Sequence, residues 1–213
     1  MTDGPVEFLH RFEAPAPGEE RPLLLLHGTG GDEVGMISIG RLLAPSFGRL
    51  APRGQVKEGD LNRYFRRFAE NRIDPEDARA RAAELADFVV EACRRYGVER
   101  ARLTAIGYSN GANTVTAMLF LRPDCFADAV LLRPFLPFEP PPGLDLGGRR
   151  VLVLGGADDQ VVPAAEVDRH VRVMSSAGAR VEGRVLPTGH LIGRRDLEAI
   201  RAWLGLTGKP ERP

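Results

Sequence analysis

This chain of 213 residues contains one pentapeptide whose residue types could form an activated serine nucleophile. Residues 107–111 read Gly-Tyr-Ser-Asn-Gly and match the pattern G-x-S-x-G, with Ser109 at the centre. The apolar residues before the motif predict a strand and those after it predict a helix, which places Ser109 on a tight turn between them. Glycine on both sides lets the strand and the helix approach each other closely. We interpret Ser109 as a nucleophile, with a purely structural turn as the alternative.

A serine hydroxyl is a poor nucleophile at neutral pH, so this interpretation requires a base. Only His170 and His190 follow Ser109 in the chain. His170 falls inside a predicted helix, where we expect it to face solvent or a helix neighbour. His190 lies in a loop between a predicted strand and the last helix, which is the position expected of a base. We therefore predict that His190 is the base, and the alternative is an ordinary loop histidine.

The base needs an acidic residue to orient it, and two candidates follow another predicted strand. Residues 155–163 read Gly-Gly-Ala-Asp-Asp-Gln-Val-Val-Pro, so Asp158 and Asp159 both stand at the required place. The residues alone leave open which of them orients the base, because an aspartate in a loop often binds backbone donors instead. Serine, acid and histidine thus occur in the order that an acyl-transfer site on an α/β sheet requires.

A glycine-rich loop follows the buried strand predicted at 22–26. Residues 27–31 read His-Gly-Thr-Gly-Gly, and backbone N–H groups in such a loop can stabilise the oxyanion of a tetrahedral intermediate. We predict that the backbone N–H groups of Thr29 and Asn110 form this oxyanion hole. The competing use of the loop is phosphate binding, but neither G-x-x-x-x-G-K-[ST] nor G-x-G-x-x-G is present.

The residues with metal-binding side chains show no ligand spacing. Cys93 and Cys125 lie far apart without a C-x-x-C pair, and His27, Asp32 and His190 have no recognisable pattern of ligands. We therefore predict no metal site. Two isolated thiols also fit a reducing compartment.

Short apolar strands alternate with amphipathic helices along the chain, which predicts a mostly parallel sheet covered by helices on both faces. The clearest helix has Asp74 as N-cap, Pro75 in first position and Gly97 as a left-handed cap. The other predicted helices cover residues 112–121, 164–176 and 195–204, and the predicted strands cover residues 6–12, 22–26, 50–51, 103–106, 129–132, 151–154 and 181–186.

Prolines crowd the connection between Pro134 and Pro142, where they remove backbone donors and exclude a helical lid. The length lies within the range of one domain, and the chain has no internal repeat or interdomain linker. We therefore predict a single lidless domain over residues 1–213.

The composition, with 43% hydrophobic and 27% charged residues, is typical of a soluble globular protein. The 29 basic residues are balanced by 29 acidic ones, so no overall field attracts nucleic acid. The longest aliphatic run, residues 23–26, is too short to span a membrane, and we find no signal sequence. We predict a cytoplasmic protein without nucleic-acid or membrane partners.

These motifs together resemble the α/β-hydrolase superfamily, and within it the small carboxylesterase and acyl-protein-thioesterase-like group. The resemblance covers nearly the whole chain and looks closest to the bacterial hydroquinone-inducible carboxylesterase branch. It is carried by Leu-His-Gly-Thr-Gly-Gly-Asp-Glu at 26–33, Pro-Arg-Gly at 52–54 and Gly-Tyr-Ser-Asn-Gly-Ala-Asn at 107–113.

The resemblance implies an α/β-hydrolase fold, a homodimer and no cofactor. In that group the acid stands in the pattern G-x-x-D-x-x-V-P, which overlays residues 156–163 and selects Asp159 over Asp158. The chain departs from the group's G-G-H-x-L pattern with Thr-Gly-His-Leu-Ile-Gly at 188–193, a difference that affects the shape of the pocket more than the identity of the base.

We therefore predict a serine carboxylesterase that hydrolyses small soluble carboxylic esters through an acyl-enzyme, with the triad Ser109, His190 and Asp159. An acyl-thioesterase or lysophospholipase with the same triad is one alternative, and a hydrolase-fold ligand receptor without activity is another.

Five large side chains are candidates for the walls of the substrate pocket. The candidates for substrate contacts, each with core packing as the alternative, are Tyr64, Phe65, Phe135, Phe138 and Leu191. For Arg53, Arg66 and Arg67 we expect structural roles, with an anion preference near the mouth of the site as the alternative.

Overall fold

The structure, a computed structural model, describes residues 7–69 and 72–206. The strands are β1 (His10–Glu13), β2 (Pro22–Leu26), β3 (Gly48–Pro52), β4 (Val56–Glu58), β5 (Leu61–Arg63), β6 (Arg67–Ala69), β7 (Arg72–Ile73), β8 (Thr104–Tyr108), β9 (Asp128–Leu132), β10 (Arg150–Gly156) and β11 (Arg180–Leu186). The α-helices are α1 (Glu33–Leu43), α2 (Pro75–Tyr96), α3 (Asn110–Leu121), α4 (Ala165–Ser176) and α5 (Arg194–Trp203), and a 3-10 turn covers Arg100–Arg102.

Seven strands form one sheet in the order β1-β3-β2-β8-β9-β10-β11. β1 is antiparallel to β3, and the other neighbouring strands of this sheet are parallel. The register pairs Leu26 with Gly107 and Tyr108 with Leu132. Parallel strands end at the same edge of a sheet, so the loops after β2, β8, β10 and β11 meet there.

Apolar residues fill both faces of the sheet. In β2, Leu24 and Leu26 belong to the core on one face, while Leu23 and Leu25 belong to the core on the other, as the period of two requires. Helices α2, α3 and α4 contribute buried residues to the first core, and α1 and α5 contribute to the second. The predicted parallel sheet with helices on both faces is therefore confirmed.

The caps of α2 explain why this helix was the clearest in the sequence. The side chain of Asp74 accepts hydrogen bonds from the N–H groups of Glu76 and Asp77. Gly97 ends the helix with a φ of 66°, which glycine adopts without steric cost. No helix in the described part of the chain is long and apolar enough to cross a membrane.

Four local features differ from the predictions. Helix α1 (Glu33–Leu43) was not predicted, because Gly35 and Gly40 interrupt its apolar pattern. The edge strand predicted at 6–12 starts at His10, and Val6 lies outside the described residues. Helix α3 begins at Asn110, directly after Ser109, rather than at residue 112. Two small hairpins, β4–β5 and β6–β7, were missed because strands of two or three residues are too short to show an alternating pattern.

Candidate active site

Ser109 lies in the turn between β8 and α3 with a φ of 50° and a ψ of −114°. A positive φ is rare for a residue with a side chain, and here the Ser109 N–H donates to the Leu132 carbonyl at 2.8 Å. Glycine is required on both sides of this turn. A Cβ atom on Gly107 would lie 2.5 Å from the Gly111 carbonyl oxygen, and one on Gly111 would overlap the carbonyl of Leu26. The motif therefore folds into a strained turn at the edge of the sheet.

His190 connects Ser109 to an acidic residue. Its Nε2 lies 3.2 Å from Ser109 Oγ, and its Nδ1 lies 2.8 Å from Asp159 Oδ2. The His190 side chain is 22% exposed, whereas the Asp159 side chain is fully buried. With Nδ1–H donating to the carboxylate, Nε2 is the acceptor that faces the serine hydroxyl. The three side chains thus form the arrangement that proton transfer from a serine requires.

Asp159 follows β10, and its second oxygen is bound by the backbone. Oδ1 accepts hydrogen bonds from the N–H groups of Val161 at 2.7 Å and Val162 at 3.0 Å. Burial alone would raise the pKa of Asp159, but these N–H groups and His190 outweigh it and lower the pKa below its ordinary value. The neighbouring Asp158 is exposed. The carboxylate beside His190 is therefore that of Asp159, the residue that the family resemblance selected.

The glycine-rich loop at 27–31 is held in place by backbone hydrogen bonds. His27 occupies both ring nitrogens, since Nδ1 donates to the Gly28 carbonyl at 2.7 Å and Nε2 accepts from the Gly54 N–H at 2.9 Å. The N–H of Gly30 donates to the carbonyl of Asn62 in β5 at 2.9 Å. The loop therefore presents a rigid backbone to the end of β8.

Thr29 and Asn110, the two predicted oxyanion donors, line the same cleft as Ser109. Asn110 is the first residue of α3, and the first N–H groups of a helix have no acceptor within the helix. Its side chain accepts a hydrogen bond from the Tyr64 N–H at 2.8 Å. The binding of an oxyanion by these two N–H groups stays a prediction.

A buried arginine, which the sequence analysis missed, stands behind the histidine loop. Arg133 has a φ of 53°, and its side chain is fully buried. Its guanidinium binds both carboxylate oxygens of Asp196 in α5, at 2.8 and 3.0 Å. It also donates to Thr188 Oγ1 and to the Gly189 carbonyl, each at 3.0 Å. Arg133 therefore joins the loop that carries His190 to the start of α5.

Arg133 also lies close to the Asp159 carboxylate, since its Nε is 3.9 Å from Asp159 Oδ2. In the sequence, the only indication that Arg133 is buried is its place as the one charged residue among the apolar and proline residues 129–138. A buried charge needs a partner, but the sequence could not indicate that the partner comes from α5.

Two of the five predicted substrate contacts face open clefts. Phe135 lines the cleft beside Ser109, which has a volume of about 50 Å³. Leu191, which is 80% exposed, lines a wider apolar groove of about 340 Å³ on the other side of the 27–31 loop. Their contact with a substrate stays a prediction.

The structure places the other three predicted contacts, Tyr64, Phe65 and Phe138, in the hydrophobic core, which corrects their assignment. The Tyr64 hydroxyl donates to the Pro52 carbonyl at 2.8 Å. Phe138 packs edge to face on Phe120 with ring centroids 5.9 Å apart. Aromatic residues near a site in sequence are often buried because their large apolar area favours the core.

His170 lies outside this site. Its ring is fully buried, and Nδ1 donates to the Glu166 carbonyl in the same helix at 2.8 Å. The expected contact with a helix neighbour is therefore present, whereas exposure to solvent is not. Burial lowers the pKa of His170 to about 4.

Among the residues that the structure describes, no group of three or more His, Cys, Asp or Glu side chains is placed to hold a metal ion. Cys93 and Cys125 are buried free thiols. Burial raises the pKa of Cys93 to about 11 and that of Cys125 to about 12, so neither is a reactive thiolate at neutral pH.

No model of a known protein family matches the chain. The protein named "Putative hydrolase MhqD" of Bacillus subtilis (strain 168) is 35% identical over 181 residues, which cover 85% of this chain and 90% of that protein. The carboxylesterase of Bacillus cereus is 32% identical with a TM-score of 0.88, and the match covers 93% of each chain. The carboxylesterase from Mesorhizobium loti is 35% identical with a TM-score of 0.89, over 96% of this chain and 97% of that one.

Proposed function

Because this chain belongs to the carboxylesterase and acyl-protein-thioesterase-like group of the α/β hydrolases, we propose that it is a serine carboxylesterase with the triad Ser109, His190 and Asp159. Its relatives indicate an esterase of the serine hydrolase type. The proposal of a catalytic triad rests on the unbroken series of contacts from Ser109 Oγ through His190 to Asp159.

The proposed reaction proceeds through an acyl-enzyme. Ser109 Oγ attacks the ester carbonyl while His190 Nε2 takes the hydroxyl proton, and the oxyanion binds the N–H groups of Thr29 and Asn110. Asp159 accepts the hydrogen bond from Nδ1–H and stabilises the imidazolium. His190 then gives its proton to the leaving alcohol. Water, activated by the same histidine, releases the acid and regenerates Ser109.

Small esters are the proposed substrates. The cleft beside Ser109 has a volume of only about 50 Å³. Residues 133–149 contain no helix, and within them Leu136 and Phe138 pack into the core, so this segment does not form a helical lid. The homodimer and the cytoplasmic location stay predictions, and the reaction as written needs no cofactor.

A second candidate function is hydrolysis of longer acyl esters or thioesters, as in an acyl-thioesterase or lysophospholipase. The apolar groove of about 340 Å³, lined in part by Met36, Ile39, Tyr108 and Ile192, favours it. A groove of this kind could receive part of an acyl chain that the smaller cleft excludes.

Labelling with a fluorophosphonate tests the triad directly. We expect one adduct by intact-protein mass spectrometry, located at Ser109 by peptide mapping. The Ser109→Ala variant is expected to form no adduct and to lose ester hydrolysis. Hydrolysis by the wild-type protein without an adduct at Ser109 would refute the proposal, and a panel of esters and thioesters separates the two candidate functions.

A further inference from the structure

The cleft beside Ser109 is strongly basic. Four of the residues that line it are arginines, Arg63, Arg67, Arg72 and Arg133, and no aspartate or glutamate of the described residues lines it. The charge of Arg133 is paired with that of Asp196, so the positive charge of the cleft comes from Arg63, Arg67 and Arg72. The chain as a whole has equal numbers of acidic and basic residues. The positive charge at this cleft is therefore a local concentration rather than a consequence of the overall composition.

Not every nearby arginine contributes to this concentration. Arg53 binds the buried Glu33 at 2.5 and 2.8 Å. Arg66 lies within 3.5 Å of the carboxylates of Asp74 and Asp77 at the start of α2. Their structural roles, expected from the sequence, agree with these ion pairs. Arg67, for which a structural role was also expected, differs from Arg53 and Arg66 because it lines the cleft.

Arg63 brings its charge directly to the predicted oxyanion loop. Its side chain is only 5% exposed, and its guanidinium donates to Thr29 Oγ1 at 2.6 Å and to the Phe65 carbonyl at 3.1 Å. These contacts hold the side chain in one position. A substrate group in the cleft therefore meets a preorganised positive charge next to Thr29.

The charges of Arg63 and Arg67 repel each other. Burial, and after it the nearby charge of Arg67, lowers the pKa of Arg63 to about 10, and Glu58 offsets only part of this. Glu58 binds Arg67 at 2.6 Å and lies 3.5 Å from Arg63, so the two guanidinium groups share this carboxylate. An anion in the cleft would relieve this repulsion.

Arg72 is the exposed member of the group. It lies in β7, and its guanidinium carbon is 5.4 Å from the centre of the Phe68 ring. A guanidinium that lies over a ring keeps its N–H donors in the plane of the group, where they can bind a carboxylate side by side. Arg72 can thus bind an anion that enters the cleft from solvent.

We propose that this arginine-lined cleft is an anion subsite and that the preferred substrates are short esters that carry a carboxylate near the scissile carbonyl. The inference rests on the proposed function and names its substrate class. The small cleft limits the acidic part of the substrate to a few carbons. The contrasting explanation is that the arginines only hold the two hairpins together, in which case substrate charge has no effect.

Two pairs of esters test the subsite. The two esters of a pair are identical except that one carries a carboxylate where the other carries a methyl ketone. Monoethyl succinate and ethyl levulinate differ on the acyl side, whereas acetoxyacetate and acetoxyacetone differ on the alcohol side. Hydrolysis is followed in a pH-stat, and each kcat/KM is divided by the rate constant with hydroxide ion. For at least one pair we expect the normalised kcat/KM of the anionic ester to exceed that of the neutral ester roughly tenfold or more. This ratio corresponds to the free energy of one charge-assisted hydrogen bond.

Substitutions assign this preference to the cleft. Arg67→Gln and Arg72→Gln are each expected to lower the ratio of the anionic to the neutral ester towards one. Arg94→Gln is the matched control, because Arg94 lies on α2 away from the cleft, is 77% exposed and binds Glu91. Salt should also lower the wild-type ratio, since the screening length falls to about 3 Å at 1 M.

A wild-type ratio near one for both pairs overturns the subsite, and so does an equal loss of preference in the Arg94→Gln control. In either case, hydrolysis of the neutral esters together with an adduct at Ser109 would still support the proposed function. If no ester is hydrolysed and no adduct forms, the proposed function fails, and the subsite fails with it.

Discussion

Asp158 and Asp159 are adjacent in the chain and identical in side chain, but their surroundings are opposite. Asp159 is buried against His190 and accepts two backbone hydrogen bonds, whereas Asp158 is exposed. The residues alone could not separate them, because the choice depends on where a loop from another part of the chain places His190. The pattern of a known family could, since it records the outcome of that packing.

This difference predicts unequal effects of the same substitution. Asp159→Asn should lower kcat by roughly 10³-fold or more, because an amide leaves the imidazole in the wrong tautomer. Asp158→Asn should change kcat far less. Steady-state kinetics of both variants on one aryl ester provide the check, and a larger loss in Asp158→Asn would reverse the assignment.

Arg133 and Asp196 form a buried ion pair whose two members depend on each other. Arg133→Met leaves the Asp196 carboxylate buried without its partner and should lower the free energy of unfolding by roughly 3–5 kcal/mol. The double variant Arg133→Met/Asp196→Asn should be more stable than Arg133→Met alone, since the amide is neutral and can still accept from the Gly193 N–H.

Urea unfolding of the wild type, both single variants and the double variant measures this coupling. Additive losses in the double variant would show that the pair does not act as a unit.

At the scale of elements, the strands that end at the site were predictable, and the hairpins beside it were not. β2 is a run of five fully buried residues, a pattern that indicates a central strand. β4 to β7 contain two or three residues each, and ion pairs such as Arg67 with Glu58 help to hold them. No spacing in the sequence indicates such pairs, so an anion preference was only the alternative for Arg67, and Arg63 and Arg72 were not predicted to line the cleft.

The small cleft also predicts a preference for short acyl groups. Each methylene that enters it can contribute at most ~0.8 kcal/mol, and carbons beyond its reach contribute nothing. We expect kcat/KM on aryl esters to peak at acyl chains of about two to six carbons and then to fall steeply.

A series of aryl esters assayed below and above the critical micelle concentration provides the measurement. A maximum on palmitoyl esters, or a jump in rate when micelles form, would instead support the second candidate function and the apolar groove as its acyl site.

Across the whole molecule, the order of the seven strands of the large sheet and of helices α2 to α5 was predictable because each of them shows its own period, whereas α1 and the two hairpins were not predicted. The seven-stranded sheet and the helices on both of its faces follow from that order. Which helix residues become buried partners was less predictable, and His170 illustrates this. It lies fully buried in α4, although its polar ring could equally have faced solvent. The extent of a single domain over residues 1–213 stays a prediction.

His170 makes the stability of the protein depend on pH. Its pKa in the folded protein is about 4, whereas a histidine in an unfolded chain titrates near ~6.5. Between these values the unfolded chain binds a proton that the folded protein does not, so the free energy of unfolding falls as the pH falls through this window. The loss from His170 is roughly 3 kcal/mol at the lower end.

Urea unfolding of the wild type and of His170→Leu at several pH values between about 7 and about 4.5 tests this dependence. The variant should lose less stability on acidification. The free energy of unfolding of the variant should still fall somewhat as the pH falls, because burial also lowers the pKa of His27. Identical slopes for the two proteins would contradict the prediction.

The contact of Gly111 with the end of β2 has a consequence for recombination between homologues. A Cβ atom on Gly111 would overlap the Leu26 carbonyl oxygen and lie 2.6 Å from that of His27, so no side chain fits between the start of α3 and the end of β2. Any exchange of residues 107–113 between homologues must therefore keep glycine at position 111, whichever parent supplies residues 26–31. A chimera with glycine at this position retains the junction, whereas one that places a larger residue there must move β2 and α3 apart.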